Sequence, residues 1–404
     1  MADGKSLNVL VINCGSSSLK FAILDAGNGD TLLSGSAERL LQGDSVANYR
    51  LADGEQQHHT LGSNATHEQT LAALVGFIRT QGLDQTLVAV GHRVVHGGEQ
   101  FSESVRVSDK VLQRIREVTH LAPLHNPANI AGIEAAIAAF PALPQVAVFD
   151  TAFHHSLPRH AYLYALPMSL YREHGVRRYG MHGTSHRYVA ERALAFLELQ
   201  PPHSRLITAH LGNGASMAAI LDGHSIDTSM GLTPLEGLVM GTRTGDLDPS
   251  ISHYLVSQLG YSIAQVDDLY NKHSGLLGIS ELSNDVRSLE EAEQDGHAGA
   301  RLALDIFCYR LAKYVGAYTV VLGGVDALVL TGGVGENSAR VRASLLNRLA
   351  GLGYQLDSQA NQTIRFGLEG PISLPGSATT LVIPTNEEWM IARDAARLAQ
   401  EFDV

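Results

Sequence analysis

The sequence predicts an α/β protein built from a duplicated unit. Three observations carry this. Apolar strand-like runs alternate with helix-like stretches along most of the chain. The run Val9–Ile12 passes through Asn13-Cys14-Gly15-Ser16-Ser17-Ser18-Leu19-Lys20 into Phe21–Asp25, a strand–turn–strand with glycine and three serines at the bend. That element recurs: displaced by 197 residues, His210–Asp222 falls on Asn13–Asp25 with five identities in thirteen positions, Gly15 meeting Gly212. Each turn is a natural phosphate cradle, because glycine lets the backbone bend tightly while amides and hydroxyls can point at an anion. Lys20 adds a positive charge, and Asn13 could hold a metal-bound water. Two such turns, one per half, predict a nucleotide phosphate held between the copies.

The elements follow in order. Strands are expected at Asn8–Asn13, Leu19–Asp25 and Thr31–Ala37, all antiparallel. Residues 42–66 are polar and read as an irregular surface excursion. A helix is expected from Glu68 to Thr80, with Thr66 as its cap and Gln69 three residues on. Leu87–Gly91 reads as a strand, Asp109–Thr119 and Asn129–Ala139 as helices, and Val146–Asp150 as a buried strand ending in an acid. Pro141, Pro144 and Pro158 bracket that strand, which suggests a domain boundary near Asp150. The second half restarts with strands at Arg205–His210, Ser216–Leu221 and His224–Asp227. Helices are expected at Pro249–Leu259 and over the long stretch Leu289–Val315. Asp326–Leu330 is a strand running into a glycine-rich segment, followed by a helix from Ala339. The last strand is Thr380–Ile383. The last helix, Glu387–Gln400, is short enough to pack back on the first domain. The expected domains are therefore 1–150 with 386–404, and 151–385.

Composition excludes several classes. With 404 residues, 45% apolar and 17% charged, the chain can bury a sizeable core. A net charge of −12 argues against nucleic acid and against an anionic membrane surface as partners. Cationic groups serving anionic substrates must then be local, and Lys20, Arg93, Arg243 and Arg287 are the candidates. No run reaches the length of a membrane span, and the N-terminus reads as free of a signal peptide. Two distant cysteines, Cys14 and Cys308, fit free buried thiols in a reducing compartment, hence a cytoplasmic protein.

The polar motifs sit at glycine turns and strand ends. His92-Arg93-Val94-Val95-His96-Gly97-Gly98 places an arginine where it can fork onto a carboxylate or phosphate. His125 stands on a turn bracketed by Pro123 and Pro127, where taken alone a structural hydrogen bond is the favoured reading over a ligand contact. Asp150 ends a buried strand, the usual place for ligands in α/β sheets. Gly180–His186 opens a helix, a region that favours anions. His182 and His186 have zinc-motif spacing, but Gly183 stands where the glutamate of that motif would be. Gly241–Pro249 carries a second glycine-flanked arginine, Arg243. Thr331–Asn337 holds three glycines in seven residues, which permits close approach to a flat ligand such as adenosine. It is neither a Walker A loop nor a dinucleotide fingerprint. The chain has no Gly-x-Ser-x-Gly elbow. Basic groups, a metal carboxylate candidate and two phosphate turns suit phosphoryl transfer, which needs positioning and charge neutralisation more than a protein nucleophile.

Taken in order, Asn-x-Gly-Ser-Ser-Ser-Leu-Lys, His-Arg-Val-Val-His-Gly-Gly, Leu-His-Asn-Pro, Phe-Asp-Thr-Ala-Phe-His, His-Gly-Thr-Ser-His, His-Leu-Gly-Asn-Gly, Gly-Thr-Arg-x-Gly-Asp-Leu-Asp-Pro, Thr-Gly-Gly-x-Gly-Glu-Asn and Pro-Thr-Asn-Glu-Glu resemble the acetokinase family over nearly the whole chain. The resemblance implies a duplicated, two-domain actin-like (ribonuclease H-like) ATPase fold with an interdomain cleft. It implies the reaction ATP + acetate ⇌ ADP + acetyl phosphate, with Mg²⁺ as cofactor, Mn²⁺ as a substitute, and a homodimer. The family roles transfer to matching positions. Asn13 and Glu387 would support the metal. Ser16, Ser18 and Lys20 would form the first phosphate turn. Arg93 and Arg243 would flank the transferred group, Asp150 would supply the essential carboxylate, and His182 would contact the phosphoryl group. His125 would line the cleft. His210 would line the cleft with it, Asn213 and Gly214 would form the second phosphate turn, and His210, Leu211 and Gly212 would join them in nucleotide binding. Asp285, Arg287, Gly333, Val334, Gly335 and Asn337 would border the nucleotide. Val95, Leu124, Met181 and Pro234 would wall the acyl pocket. The family often has an aromatic residue where Met181 stands, so a propionate or other short-chain acyl kinase is the nearest alternative. A non-catalytic ATP-binding regulator on the same fold is the other.

Overall fold

The computed structural model describes residues 6–123 and 125–401. The chain divides into two units, Met1–Phe153 with Asn386–Val404, and His154–Thr385. The first unit is an eight-stranded sheet of β1 (Asn8–Cys14), β2 (Ser18–Asp25), β3 (Thr31–Glu38), β4 (Asp44–Leu51), β5 (Gln56–Ser63), β6 (Leu87–Val94), β7 (Val105–Arg106) and β8 (Gln145–Phe149). Their spatial order is β5-β4-β3-β2-β1-β6-β8-β7. β1 to β5 pair antiparallel in succession, whereas β1, β6 and β8 are mutually parallel.

Alternation along β1 explains the layering, since successive side chains point to opposite faces. Leu10 and Ile12 join Leu19, Phe21 and Leu74 in a core under the helices His67–Thr80 and Asn126–Ala139. Val9 and Val11 join Ala22 and Leu24 in a second core under Ile391 and Ala395 of the helix Glu387–Gln400. A strand covered on both faces has to read as an unbroken apolar run. The helix His67–Thr80 starts where its cap predicts: Gln69 N donates to Thr66 Oγ1 (3.2 Å) and Thr66 N donates to Gln69 Oε1 (2.9 Å).

The second unit holds β9 (Arg205–Leu211), β10 (Ala215–Leu221), β11 (His224–Thr228), β12 (Ala327–Thr331), β13 (Gly370–Pro371) and β14 (Thr380–Val382). Their order is β11-β10-β9-β12-β14-β13. The run β11-β10-β9-β12-β14 repeats β3-β2-β1-β6-β8 in both order and direction. The duplication seen in the hairpins is thus a duplication of the sheet. The two hairpins nevertheless differ by one residue in register. Asn13 pairs with Lys20, but His210 pairs with Ser216, because the second turn is one residue tighter.

Two expectations are corrected. Residues 42–66 are not irregular: they contain β4 and β5, which extend the sheet beyond β3. The stretch Leu289–Val315 is not one helix but parts of two, Val286–Gln294 and Ala298–Leu322. Gly296 breaks it in a left-handed conformation (φ 89°) that a continuing helix cannot take. His297 then caps the second helix by accepting from Ala300 N (3.1 Å).

Candidate active site

In the first unit the parallel strands β1, β6 and β8 end side by side, which gathers Asn13, Arg93 and Asp150. Arg93 Nη2 lies 2.6 Å from Asp150 Oδ2, and Arg93 Nε donates to both carboxylate oxygens at 3.1 Å. Arg93 Nη1 donates to Asn13 Oδ1 at 3.3 Å. The Asp150 side chain is 2% exposed and that of Arg93 24%. Burial alone would lower the Arg93 pKa, but Asp150 and Glu387 outweigh it and the net shift is upward. Glu387 opens the returning helix behind the Asn386 cap, whose Oδ1 accepts from Trp389 N (3.0 Å). Burial raises the Glu387 pKa, and the charges of Arg93 and Lys20 oppose that rise.

The first glycine turn closes through Gly15 N, which donates to Ser18 O (2.8 Å). A Cβ on Gly15 would lie 2.8 Å from Ser18 Oγ, so any other residue there would make the Ser18 hydroxyl turn away. Ser16 and Lys20 are exposed and Ser18 is half-buried. Sequence reading missed what fixes this edge. Asn129 accepts from Val95 N (3.0 Å) and donates to Cys14 O (2.7 Å), while Asn126 bonds both backbone groups of His96. The helix that His125 precedes therefore holds the ends of β1 and β6 together. The only foreshadowing was the Asn-Pro at its start, a common helix opening.

In the second unit a tighter assembly surrounds the Gly212–Gly214 turn. Gly212 N donates to Gly214 O (3.0 Å), and Gly241 N donates to Asn213 O (2.9 Å). A methyl group on Gly214 would sit 3.5 Å from Arg243 Nη1 and 3.6 Å from His182 Nε2, so turn, arginine and histidine converge. Among the described residues no carboxylate is paired with Arg243. Its Nη1 donates to Pro234 O (3.2 Å), and burial lowers its pKa. His182 caps the helix Gly183–Phe196 in a left-handed conformation (φ 57°). Strain of this kind in a residue with a side chain persists where the surroundings over-determine it. The determinants are visible: His182 Nδ1 meets Ser216 Oγ (2.8 Å), which also meets His186 Nε2 (2.8 Å). His182 and His210 lie ring to ring at 4.4 Å, and Ser185 Oγ meets His210 Nδ1 (2.8 Å). Burial, with His154 and His210 beside it, holds His186 well below its ordinary pKa. It is a neutral spacer in this chain of hydrogen bonds.

A cavity of about 600 Å³ opens beside that turn. It is lined by Gly212, Asn213, Asp285, Arg287, Gly333, Val334 and Asn337, all singled out in the sequence, and by Val286, Glu290, Ser338, Arg365 and Phe366, which were not. Gly335 is buried behind it, and Leu211 is buried at the end of β9. Asp285 also caps the helix Val286–Gln294, accepting from Ser288 N (2.9 Å). Thr331–Asn337 proves to be a short helix, Gly332–Asn337, anchored by Glu336 Oε1, which accepts from Gly332 N (2.9 Å) and Thr385 N (3.1 Å). Of the acyl-wall candidates, Val95 lies in the first unit, buried. Met181 and Pro234 lie in the second, where Met181 is 3% exposed and its carbonyl meets His154 Nε2 (3.0 Å). Leu124 lies outside the described residues.

A sheet order repeated in two units, each with a glycine hairpin at its strand ends, defines a two-domain actin-like ATPase fold, an architecture of phosphotransferases. The model of the acetokinase family matches residues 8–393. The chain belongs to that family. It is 57% identical over 392 residues to an acetate kinase of Shewanella frigidimarina, covering 96% of this chain and 98% of that one. Two solved structures superpose with TM-scores of 0.92 at 44% identity, each covering 97% of this chain and 100% of the other. One is a propionate kinase from Francisella tularensis and the other is the Porphyromonas gingivalis acetate kinase. Among the described residues, no helix is long and apolar enough to cross a membrane.

Proposed function

We propose that the protein is an acetate kinase that passes the γ-phosphoryl group of ATP directly to acetate, reversibly and with Mg²⁺. The observation that carries the reading is the state of Asp150. A kinase acting on a hydroxyl needs a carboxylate available to take a proton. Here Asp150 is spent on Arg93 through three hydrogen bonds. A carboxylate acceptor is already ionised at neutral pH and needs no base. Asp150 then orients Arg93, and Arg93 holds the acceptor carboxylate. Once held in line, an acetate oxygen bonds to the γ-phosphorus as the bond to the bridging β,γ-oxygen breaks and ADP leaves. Arg243, paired with no carboxylate among the described residues, and His182 stabilise charge on the equatorial oxygens. The two glycine turns hold the phosphate chain, and the cavity of the second unit takes the nucleoside.

Asn13 and Glu387 suit a hard cation. One carboxylate and one amide oxygen form a sparse donor set, and no cluster of three or more His, Cys, Asp or Glu side chains fit to hold a metal occurs among the described residues. Mg²⁺ is commonly held in this way, by one or two protein oxygens with waters and substrate phosphates completing its shell. When bound it neutralises phosphate charge. Two free buried thiols support a reducing, cytoplasmic setting. The helix Ser250–Leu259 buries none of its side chains, and Tyr254 and Leu259 on it are exposed, which supports self-association as a homodimer.

Propionate is the second reading, because the Francisella propionate kinase matches as well as the acetate kinase structure does. The hydroxamate assay for acyl phosphate, run with ATP, Mg²⁺ and acetate, propionate or butyrate, tests both. The highest kcat/KM is expected on acetate. Preference for propionate would move the protein to the sister activity, and no acyl phosphate from any acid would overturn the kinase reading.

A further inference from the structure

The cavity of the second unit is flanked by a segment that no motif marks. Arg365 and Phe366 belong to its lining. Phe366 is 79% exposed and left-handed, with φ 55°. A bulky side chain is disfavoured in that conformation, and an exposed ring recovers none of the cost by burial. The segment is clamped from two sides to the helix Gly332–Asn337. Phe366 N donates to Asn337 Oδ1 (2.9 Å), whose own Nδ2 donates to Gly333 O (3.0 Å). The fully buried Arg342 donates from one nitrogen to Ile364 O (3.0 Å) and Glu336 O (2.8 Å). The Arg365 guanidinium lies 4.8 Å from the Phe366 ring centre, while its Nε is buried with no hydrogen-bond partner. A strained aromatic, a cation over it and an unused donor therefore sit together, tied to the glycines that border the cavity. Folding alone does not require that combination, and a flat aromatic ligand would use the exposed face of Phe366.

We propose that Arg365 and Phe366 form the stacking platform for the purine ring of the bound nucleotide, the exposed Phe366 ring meeting the base and the Arg365 guanidinium backing it. This rests on the reading of the cavity as the nucleoside site, and it adds base selectivity to that reading. A bicyclic purine covers more of an aromatic face than a pyrimidine does, so the platform favours ATP over CTP.

The test is calorimetric titration of the full chain, with Mg²⁺, against ADP, CDP and inorganic tripolyphosphate, which lacks a base. Phe366→Ala replaces an exposed side chain, so the fold is retained. Loss of base stacking should weaken ADP binding about tenfold. Binding of tripolyphosphate is expected to stay within about twofold of wild type, and the preference for ADP over CDP to shrink. Phe366→Trp keeps an aromatic face, so it should hold ADP as the wild type does and show indole fluorescence quenched by ADP. Arg365→Met should weaken ADP more than tripolyphosphate. Wild-type ADP binding with an indifferent Phe366→Ala overturns the platform and leaves the nucleotide reading standing. Equal losses for ADP and tripolyphosphate also overturn it, because the side chain then supports the cavity and not the base. Wild-type protein that binds tripolyphosphate but gains nothing from the nucleoside of ADP overturns the nucleoside reading of the cavity and the platform with it.

Discussion

Asp150→Asn isolates what Arg93 owes to its partner. The substitution keeps the shape of the side chain and one acceptor but removes the charge from a group that is 2% exposed and makes three contacts of 2.6–3.1 Å. Removing one member of a buried ion pair typically costs about 3–5 kcal/mol. Asparagine retains part of the hydrogen bonding, and Glu387 still supports the Arg93 charge. An expected loss of about 2–3 kcal/mol in transition-state stabilisation corresponds to a fall in kcat/KM of about 30- to 160-fold. Arg93→Ala removes the functional group itself and should cost about 100- to 1,000-fold. If Asp150 works only through Arg93, the double variant loses no more than Arg93→Ala alone. The assay is acetyl phosphate formation at pH 7.5, with thermal melts to confirm that each variant folds. Losses that multiply in the double variant would refute the reasoning, since Asp150 would then act on the reaction directly.

Three more predictions follow from packing and protonation. A Cβ at Gly132 would overlap Cys14 Sγ, so Gly132→Ala should destabilise the first unit by about 1–3 kcal/mol. In a Cys14→Ala background the cost should shrink, because only the Cβ at 3.1 Å remains and alanine is the better helix former, and an undiminished cost there would sink the explanation. Burial holds His92 and His154 neutral down to about pH 4. The unfolded chain protonates them near 6.5, so stability should fall as pH drops from about 6.5 to 4, by about 1.4 kcal/mol per unit per histidine. Urea titrations at pH 7, 6 and 5 should show a shallower fall for His92→Gln, and identical falls would contradict the assignment. Arg342 serves backbone oxygens of Gly335, Glu336, Asn361 and Ile364 and the Asn361 side chain. Arg342→Met should therefore lower the melting temperature by several degrees and raise the KM for ATP, and an unchanged KM for ATP would separate the clamp from the cavity.

The sequence disclosed this fold where side-chain chemistry was local. The Thr66 cap, the two-faced burial of β1 and the glycine hairpins each announce themselves within a few residues. β4 and β5 did not, because this end of the sheet carries mostly polar residues and β5, its edge strand, exposes most of its own. With no apolar alternation, polar composition suggested a loop. The break at Gly296 was hidden because one glycine inside a helical pattern is often tolerated. Within the site, motif residues at glycine turns were legible as candidates. Their partnerships were not, since Arg93 and Asp150 are 57 positions apart and meet only because β6 and β8 are neighbours. Arg365 and Phe366 left no signal at all, as their significance lies in a backbone angle and in clamps from Asn337 and Arg342.

The helix Glu387–Gln400 completes the sheet that begins with β1, and all of His154–Thr385 is read out between them. During synthesis the second unit can therefore acquire all its residues while the first still lacks the cover over Val9, Val11, Ala22 and Leu24. That half-built sheet leaves an apolar face uncovered until the last helix has been delivered. The carboxylate of Glu387 arrives on that same helix, so a chain that stalls early is left without it.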